Sequence, residues 1–277
     1  MSKSYHTFIF IALICITQTM HGFTMKINPW SEKKERETVV LNKAIDKPCE
    51  ISIHNIKGSI TVTASTKNKI HVEATKIGSV KSLESTKITL DQTGDKIAIK
   101  TVQTIKEPDT KECEVNYTIT IPKTATVSTI HTVKGDIFVE NSNGTIATTK
   151  EGVISIKNST GLVDVLTDNG SINVSFSSIA PGQQVTAITG KGDITVSLPQ
   201  QTVASLDAKT KSGGTVSSTL PIRTKPTDFK MYNKKTLARL TREVNGIIGS
   251  HSTDSSELSS FSLITDKGNI VLKKAAV

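Results

Sequence analysis

The segment NGSINV (169–174) recurs along the chain in altered form, and this recurrence decides the fold. Seven further segments repeat its order of a glycine, a variable residue and a β-branched residue, and six of the seven add an aliphatic residue two places on. They are KGSITV (57–62), KGDIFV (134–139), NGTIAT (143–148), EGVISI (151–156), TGLVDV (160–165), KGDITV (191–196) and KGNIVL (267–272).

When the repeats are aligned on the glycine, aliphatic positions alternate with mostly polar ones. The aligned glycines are Gly58, Gly135, Gly144, Gly152, Gly161, Gly170, Gly192 and Gly268. The residues two places after them are all β-branched: Ile60, Ile137, Ile146, Ile154, Val163, Ile172, Ile194 and Ile270. A period of two predicts strands with one buried and one solvent-facing side. The glycine before each strand suits a tight corner, so we interpret the unit as a scaffold.

The intervals between glycines predict the architecture. From Gly135 to Gly170, successive repeat glycines lie 8 or 9 residues apart, so two units make a larger unit of about 18. Intervals of 22 residues follow: Gly170–Gly192, Gly192–Gly214 and Gly246–Gly268. A fixed period in this range is typical of a solenoid. We therefore predict an all-β chain, a single-stranded parallel β-solenoid (β-helix-like) with coils of roughly 18–22 residues.

Two segments leave the type of secondary structure open. KITLDQTGDKIAIKT (87–101) predicts two strands around a Gly-Asp turn, either as an antiparallel hairpin near the N-terminal end or as another coil with a longer corner. KKTLARLTREV (234–244) has leucines at helical spacing but is also compatible with a strand.

The N-terminus has the layout of a secretory signal, with Lys3 before the short apolar run FIFIALICIT (8–17) and a polar zone after it. We predict a signal peptide over 1–22, a charged linker over 23–37 and a β-solenoid domain over 38–277. A retained signal anchor is the alternative. The apolar run is shorter than the roughly 20 residues that span a bilayer, so we expect no transmembrane segment in the mature chain.

Cys49 and Cys113 remain after cleavage, and each precedes a glutamate and a strand-like run. In an oxidising compartment this context is compatible with a disulfide between them. It is equally compatible with two separate buried thiols.

Charge and composition narrow the class of partner. The net charge is +9, from 34 Lys and Arg against 25 Asp and Glu, while aromatic residues make up only 4%. Nucleic-acid binders more often cluster arginines with stacking aromatics, so we expect no nucleic acid partner.

Sequence patterns for catalysis or metal binding are missing from the chain. It contains no Gly-x-Ser-x-Gly, no phosphate-binding Gly-Lys-Ser/Thr and no His-Glu-x-x-His. The histidines outside the signal region are scattered singly: His54, His71, His131 and His251. Asp136 and Asp193 each follow a repeat glycine, but their equivalents elsewhere are mostly uncharged, which indicates a solvent-facing corner. We predict no catalytic, cofactor-binding or metal-binding residues.

The string VNYTITIPKTATVSTIHTVKGDIFVE (115–140) resembles the bacterial putative-adhesin family, a group of exported β-solenoid proteins of unknown function. NIKGSITVTASTKNKIHVEATK (55–76) is similar to the opening unit of that family, and SLITDKGNIVLKK (262–274) to its closing pair. The resemblance covers roughly residues 38–275. It implies an exported β-solenoid and carries over no catalytic residue.

Three functional hypotheses follow. The first is a non-enzymatic exported protein of the envelope or cell surface, adhesin-like, that binds an unidentified protein or glycan through repeated polar side chains. Its location is then the periplasm, the cell surface or the extracellular space. The second is an envelope scaffold or stress-sensing module. The third is a carbohydrate-active parallel β-helix enzyme, which needs clustered carboxylates, and its candidates are Asp136, Asp164 and Asp193.

Overall fold

The computed structural model describes residues 34–104, 112–224, 242–249 and 258–275. Within them lie 21 strands and one short helix. The N-terminal elements are β1 (Glu35–Ala44), β2 (Glu50–His54), β3 (Ile60–Ser65), β4 (Lys69–Gly78), α1 (Val80–Glu84), β5 (Thr86–Thr93), β6 (Lys96–Gln103) and β7 (Glu114–Pro122). The central strands are β8 (Thr126–Lys134), β9 (Ile137–Glu140), β10 (Asn143–Glu151), β11 (Ile154–Lys157), β12 (Thr160–Asn169), β13 (Ile172–Ser175), β14 (Gln184–Lys191) and β15 (Ile194–Leu198). The last strands are β16 (Ala204–Thr210), β17 (Val216–Ser218), β18 (Ile222–Thr224), β19 (Arg242–Ile248), β20 (Ser259–Lys267) and β21 (Ile270–Lys274).

The strands form two sheets, and the predicted all-β solenoid is confirmed. Sheet A has the order β1-β4-β7-β3-β9-β11-β13-β15-β21-β17, and sheet B has the order β18-β19-β16-β20-β14-β12-β10-β8-β2-β6-β5. From β8 to β15 the chain alternates between the sheets, and each strand pairs in parallel with the corresponding strand of the next coil. Each coil is therefore two strands, one on each side.

The coil length agrees with the predicted period. His131, Thr148, Leu166 and Ile188 occupy paired positions on consecutive strands of sheet B, 17, 18 and 22 residues apart. Among the described residues, no helix has the length and apolar character needed to cross a membrane.

The core lies between the inward sides of the two sheets and consists mainly of Ile, Val and Ala. In sheet A the repeat positions Ile60, Ile137, Ile154, Ile172, Ile194 and Ile270 are all at most 1% exposed. Small β-branched side chains fill most of the thin interior between stacked coils. Aromatic side chains enter it at three places, Tyr117, Phe176 and Phe261, which are the largest of the fully buried residues.

One repeat departs from the predicted alternation. A β-bulge shifts the register between β10 and β12, so that Thr145 rather than Ile146 pairs with the buried Val163. Thr145 and Ala147 are buried, and Ile146 lies half-buried on the outer side of sheet B. The expectation that Ile146 is a core residue is wrong, because a one-residue register change moves a side chain to the opposite face.

The C-terminal coils do not stack in the order in which they follow one another in the chain. The regular 22-residue intervals between glycines therefore do not all correspond to coils that are neighbours in space. Strands β20 and β21 pair with β14 and β15, while β16 and β17 lie beyond them. Gly192 therefore neighbours Gly268, and Gly214 lies on the far side of Gly268. Gly246 belongs to β19, which pairs antiparallel with β16 and β18, outside the glycine stack.

The N-terminal end is closed by antiparallel strands. Strands β5 and β6 form the hairpin that 87–101 left open, and β4 pairs antiparallel with both β1 and β7. Strand β1 begins at Glu35, so the last three residues of the predicted linker belong to the sheet. The predicted signal peptide and linker residues 23–33 lie outside the described residues, as do 234–241, and 242–244 belong to strand β19.

Candidate functional site

Six of the eight repeat glycines form one stacked column at the turn from sheet B to sheet A. In spatial order they are Gly58, Gly135, Gly152, Gly170, Gly192 and Gly268. A Cβ atom on Gly152 would meet the backbone carbonyl of Gly135, and the same close approach repeats along the column. Gly144 and Gly161 lie instead at the opposite turn, near the start of β10 and β12. The column is a packing device, as the sequence predicted of a scaffold.

A buried row of threonines accompanies the glycine column, and our sequence reasoning missed it. The hydroxyls donate to glycine carbonyls of the preceding coil: Thr149 to Gly135 (3.2 Å), Thr167 to Gly152 (3.1 Å), Thr189 to Gly170 (2.8 Å) and Thr265 to Gly192 (2.9 Å). The available signal was Thr-x-x-Gly, which precedes five of the repeats. A buried hydroxyl normally needs a hydrogen-bond partner, and these four threonines each have a carbonyl partner. Thr132, the fifth threonine of the pattern, is buried without one among the described residues.

The row changes character toward the N-terminal end. There Asn55 replaces the threonine, and its Nδ2 donates to the carbonyls of Gly58 (3.2 Å) and Val115 (2.8 Å). Thr101 donates to Asn55 Oδ1 (2.9 Å) and also contacts the Tyr117 hydroxyl (2.7 Å). Burial raises the pKa of Tyr117 to about 12, against a smaller lowering by the bond to Thr101.

The corner aspartates have a structural role. Asp136 Oδ1 accepts from the backbone N–H of Val153 at 2.7 Å, and Asp193 Oδ1 accepts from that of Asn269 at 2.7 Å. Each carboxylate thus joins one coil to the next. Asp136 and Asp193 lie three strand spacings apart, roughly 14 Å, and Asp164 lies on sheet B. The three candidates of the enzyme hypothesis are not brought together.

The outer side of sheet A carries two rows of short polar side chains, which we call the hydroxyl face. Its members are Thr61, Thr63, Thr118, Thr120, Ser155, Asn173, Ser175, Thr195 and Ser197. They project from five strands, β7, β3, β11, β13 and β15. Strand β9, between β3 and β11, contributes Phe138 to the first row and Glu140 to the second. Glu140 forms an ion pair of 2.9 Å with Lys157, the next position of the second row. The parallel ladders hold these groups at a regular interval of about 4.8 Å.

The outer side of sheet B is different, because aliphatic side chains interrupt its polar surface. Leu166, Ile188 and Ile264 occupy paired positions on β12, β14 and β20. Leu166 is 41% exposed, and Leu162 on the same strand is 43% exposed. Further along the row toward the N-terminal end, Thr148 pairs with His131 and His131 with His54.

Both cysteines are buried free thiols in the structure, so they do not form the disulfide that was one of the two alternatives. Burial raises the pKa of Cys49, with a further contribution from Asp95, and burial raises the pKa of Cys113. A raised thiol pKa lowers the thiolate fraction and therefore the reactivity. Cys49 also lines an open cleft of about 580 Å³ between the β1–β2 connection and the β5–β6 turn, together with Lys43, Asp46 and Asp95.

This geometry defines a class of protein: a two-sided parallel β-solenoid closed by antiparallel strands, with flat outer faces. The chain belongs to the Toastrack DUF4097 family, whose model matches residues 14–242. The resemblance to a putative-adhesin family of unknown function, stated from the sequence, is thereby confirmed at the level of the family. The family description names a fold and no activity.

Comparison with solved structures found similar folds at low sequence identity. A "putative cell adhesion protein" from Clostridium sporogenes is 12% identical with a TM-score of 0.48, over 88% of this chain and 100% of that one. A "putative adhesin" from Bacteroides fragilis is 10% identical with a TM-score of 0.33, over 86% of this chain and 97% of that one. A "putative lipid binding protein" from Parabacteroides distasonis is 10% identical with a TM-score of 0.26, over 58% of this chain and 72% of that one. Comparison with curated protein sequences found no match. At these TM-scores, the names of the similar structures say nothing about the partner of this chain.

Proposed function

We propose that this chain is a non-enzymatic exported protein, adhesin-like, that binds a glycan of the cell envelope or a neighbouring surface through its hydroxyl face. The observation that carries the proposal is the hydroxyl face itself: two rows of mainly Ser, Thr and Asn on a parallel sheet, interrupted by Phe138 in one row and by Glu140 and Lys157 in the other. These residues do not serve the core, since their neighbours along each strand are the buried ones.

A repetitive polar face fits a repetitive polar ligand. Each hydroxyl or amide supplies one donor and at least one acceptor, and each hydrogen bond contributes only about 1 kcal/mol net. Many such contacts at a fixed interval give useful affinity when the ligand repeats as well. A polysaccharide has this chemistry, because it presents hydroxyls along a chain.

Export rests on the sequence, through the basic start and short apolar run of residues 1–22. Protease treatment of intact and lysed cells, with detection of the mature chain, tests it. Cleavage on intact cells is the result expected of a surface protein. Protection until lysis contradicts the surface location and favours an internal envelope scaffold.

A glycan array of bacterial and host polysaccharides tests the binding surface. The double variant Thr61→Val/Thr195→Val removes two hydroxyls from the hydroxyl face but keeps the β-branched shape that strands favour. We expect it to weaken binding by about thirtyfold, since two lost hydrogen bonds of about 1 kcal/mol each remove about 2 kcal/mol.

The matched control is Thr186→Val/Ser262→Val, at paired positions on the outer side of sheet B. It should bind as the wild type does. Equal loss in both double variants, or no retention of the wild type by any glycan, would contradict the proposal.

A further inference from the structure

Two histidines that are 77 residues apart in the sequence meet on the outer side of sheet B. His54 is the last residue of β2, and His131 lies at the paired position of the parallel strand β8. Their inward neighbours Ile53 and Ile130 are fully buried, so both imidazoles project from the outer side, where each is half-buried. The ring centroids are 6.3 Å apart, and the ring planes are inclined by 49°.

This separation suits one metal ion between the rings. Imidazole nitrogen binds zinc at about 2.0–2.1 Å, which places the centroids of two rings on one tetrahedral ion roughly 5 Å apart. The observed 6.3 Å is about 1 Å longer, so the two side chains must turn slightly toward each other to share an ion. Imidazole is a preferred ligand of Zn²⁺, Cu²⁺ and Ni²⁺ and a poor one for Mg²⁺ or Ca²⁺.

The surroundings hold one of the two rings in place. The Nδ1 atom of His131 is 2.8 Å from the Thr148 hydroxyl, and when Nδ1 donates to it, Nε2 carries the free lone pair. On the other side of His54, Lys100 lies at the paired position of β6.

We propose that His54 and His131 form a two-imidazole binding site for a divalent transition-metal ion of the copper, nickel and zinc group. The described residues contain no group of three or more His, Cys, Asp or Glu side chains placed to hold a metal, so this site has two protein ligands. The remaining coordination positions are open to water or to a ligand from outside the chain. Lys100 opposes the ion by its charge and keeps the affinity modest.

Isothermal titration of the full chain with Cu²⁺, Ni²⁺, Zn²⁺ and Mg²⁺ tests the proposal. We expect Cu²⁺ to bind most tightly, as the general order of divalent affinities predicts, and Mg²⁺ not to bind at this site. His54→Asn and His131→Asn should each weaken this binding by at least about tenfold.

His71→Asn is the matched control. His71 is a single histidine on the outer side of sheet A, with its Nδ1 atom 2.8 Å from Asn42 Oδ1, and its replacement should leave the affinity unchanged. Lys100→Gln should tighten binding several-fold, because it removes a positive charge beside the site. This variant keeps the test sharp if a histidine variant fails to fold.

Four results overturn the proposal. The first is binding that survives both histidine replacements, and the second is binding lost equally in His71→Asn. The third is a wild-type chain that takes up none of the three transition metals at millimolar concentration. The fourth is a Lys100→Gln variant that binds no tighter than the wild type.

Discussion

In the central coils and at both ends of this protein, buried and solvent-facing residues alternate along the strands. The two regions differ in whether the order of the strands in a sheet follows their order in the chain. From β8 to β15, strands that are neighbours in a sheet belong to coils that follow one another in the chain. At the C-terminal end, β20 and β21 insert between earlier coils. Antiparallel strands complete both sheets at the N-terminal end and sheet B at the C-terminal end. A repeated coil can stack on any other coil that offers the same ladder, so the repeat alone does not determine the order.

The ends differ from the centre because a stack of parallel strands must stop somewhere. A central strand has both backbone edges paired, while a terminal strand leaves one edge open and invites association. Strand β1, at the edge of sheet A, carries the charged residues Glu35, Arg36, Glu37 and Lys43. Atypical terminal units that cap the stack are typical of solenoids. The comparison therefore predicts that one kind of substitution has unequal effects in the two regions.

The largest difference is expected at the glycines. Gly152→Ala places a Cβ atom against the carbonyl of Gly135. One strand cannot shift to relieve this contact without disturbing the strands paired on both sides of it, so the substitution should lower the free energy of unfolding by about 4 kcal/mol. Gly94→Ala, in the β5–β6 turn, has no atom within 4 Å of the new Cβ atom and should cost only about 1 kcal/mol, through its positive φ of 63°. Urea unfolding measures both. Equal costs would contradict the stacked column.

A smaller difference is expected in the core. Ile172 is fully buried between two coils, so Ile172→Ala should cost about 3 kcal/mol. Leu41 lies on the edge strand β1 and is only partly buried, so Leu41→Ala should cost less than about 2 kcal/mol. Denaturant midpoints at constant slope give both values. If Leu41→Ala and Ile172→Ala lowered the free energy of unfolding equally, β1 would contribute as much to the core as β13, against this prediction.

The N-terminal end should also have its own pH dependence. The pKa of Tyr117 is raised to about 12 in the folded protein, so its contribution to stability is complete below the ordinary value of 10 and is lost as the pH rises through 12. Between about pH 9 and about pH 12 the wild type should lose roughly 2 kcal/mol more than Tyr117→Phe. Chemical unfolding of both chains at each pH isolates this residue from the lysines. Parallel pH profiles would contradict a buried phenol.

The smallest difference is expected in the threonine row. Thr167→Val leaves the carbonyl of Gly152 without its 3.1 Å hydrogen bond and should cost about 1 to 2 kcal/mol. The buried Thr132 hydroxyl has no partner among the described residues, because Asn55 occupies the carbonyl of Gly58. Thr132→Val should therefore be neutral or slightly stabilising. Thermal melts of the two variants and the wild type measure the sign of each stability change. A larger loss of stability for Thr132→Val than for Thr167→Val would contradict the assignment of Thr167 as the paired hydroxyl and Thr132 as the unpaired one.

The sequence predicted the coil because its signals are local. Gly-x-Ile-x-Val fixes a corner, an inward side chain and an outward one within five residues, and the spacing then fixes the coil length. The insertion of β20 and β21 beside β14 and β15 was not predictable in this way. Every coil offers the same pairing edge, and the choice depends on contacts between residues such as Thr195 and Val271 that are far apart in the chain.

The candidate sites show the same limit. The hydroxyl face consists of the outward positions of the repeats, and the sequence predicted that these positions are mostly polar. The His54–His131 pair was not visible, because each histidine is single in its own segment and only the pairing of β2 with β8 brings them together. The outward Ile146 was missed because a bulge has no signature in the alternation itself.

Backbone pairing between strands, and not the order of the repeats in the chain, sets the order in which the coils stack. Inter-strand NOEs of the deuterated chain in solution test it most directly. The account predicts backbone contacts between Thr195 and Val271 and between Val271 and Ser217, since β21 lies between β15 and β17. Contacts that join Thr195 directly to Ser217, with none to Val271, would show that the coils stack in chain order and would contradict the account.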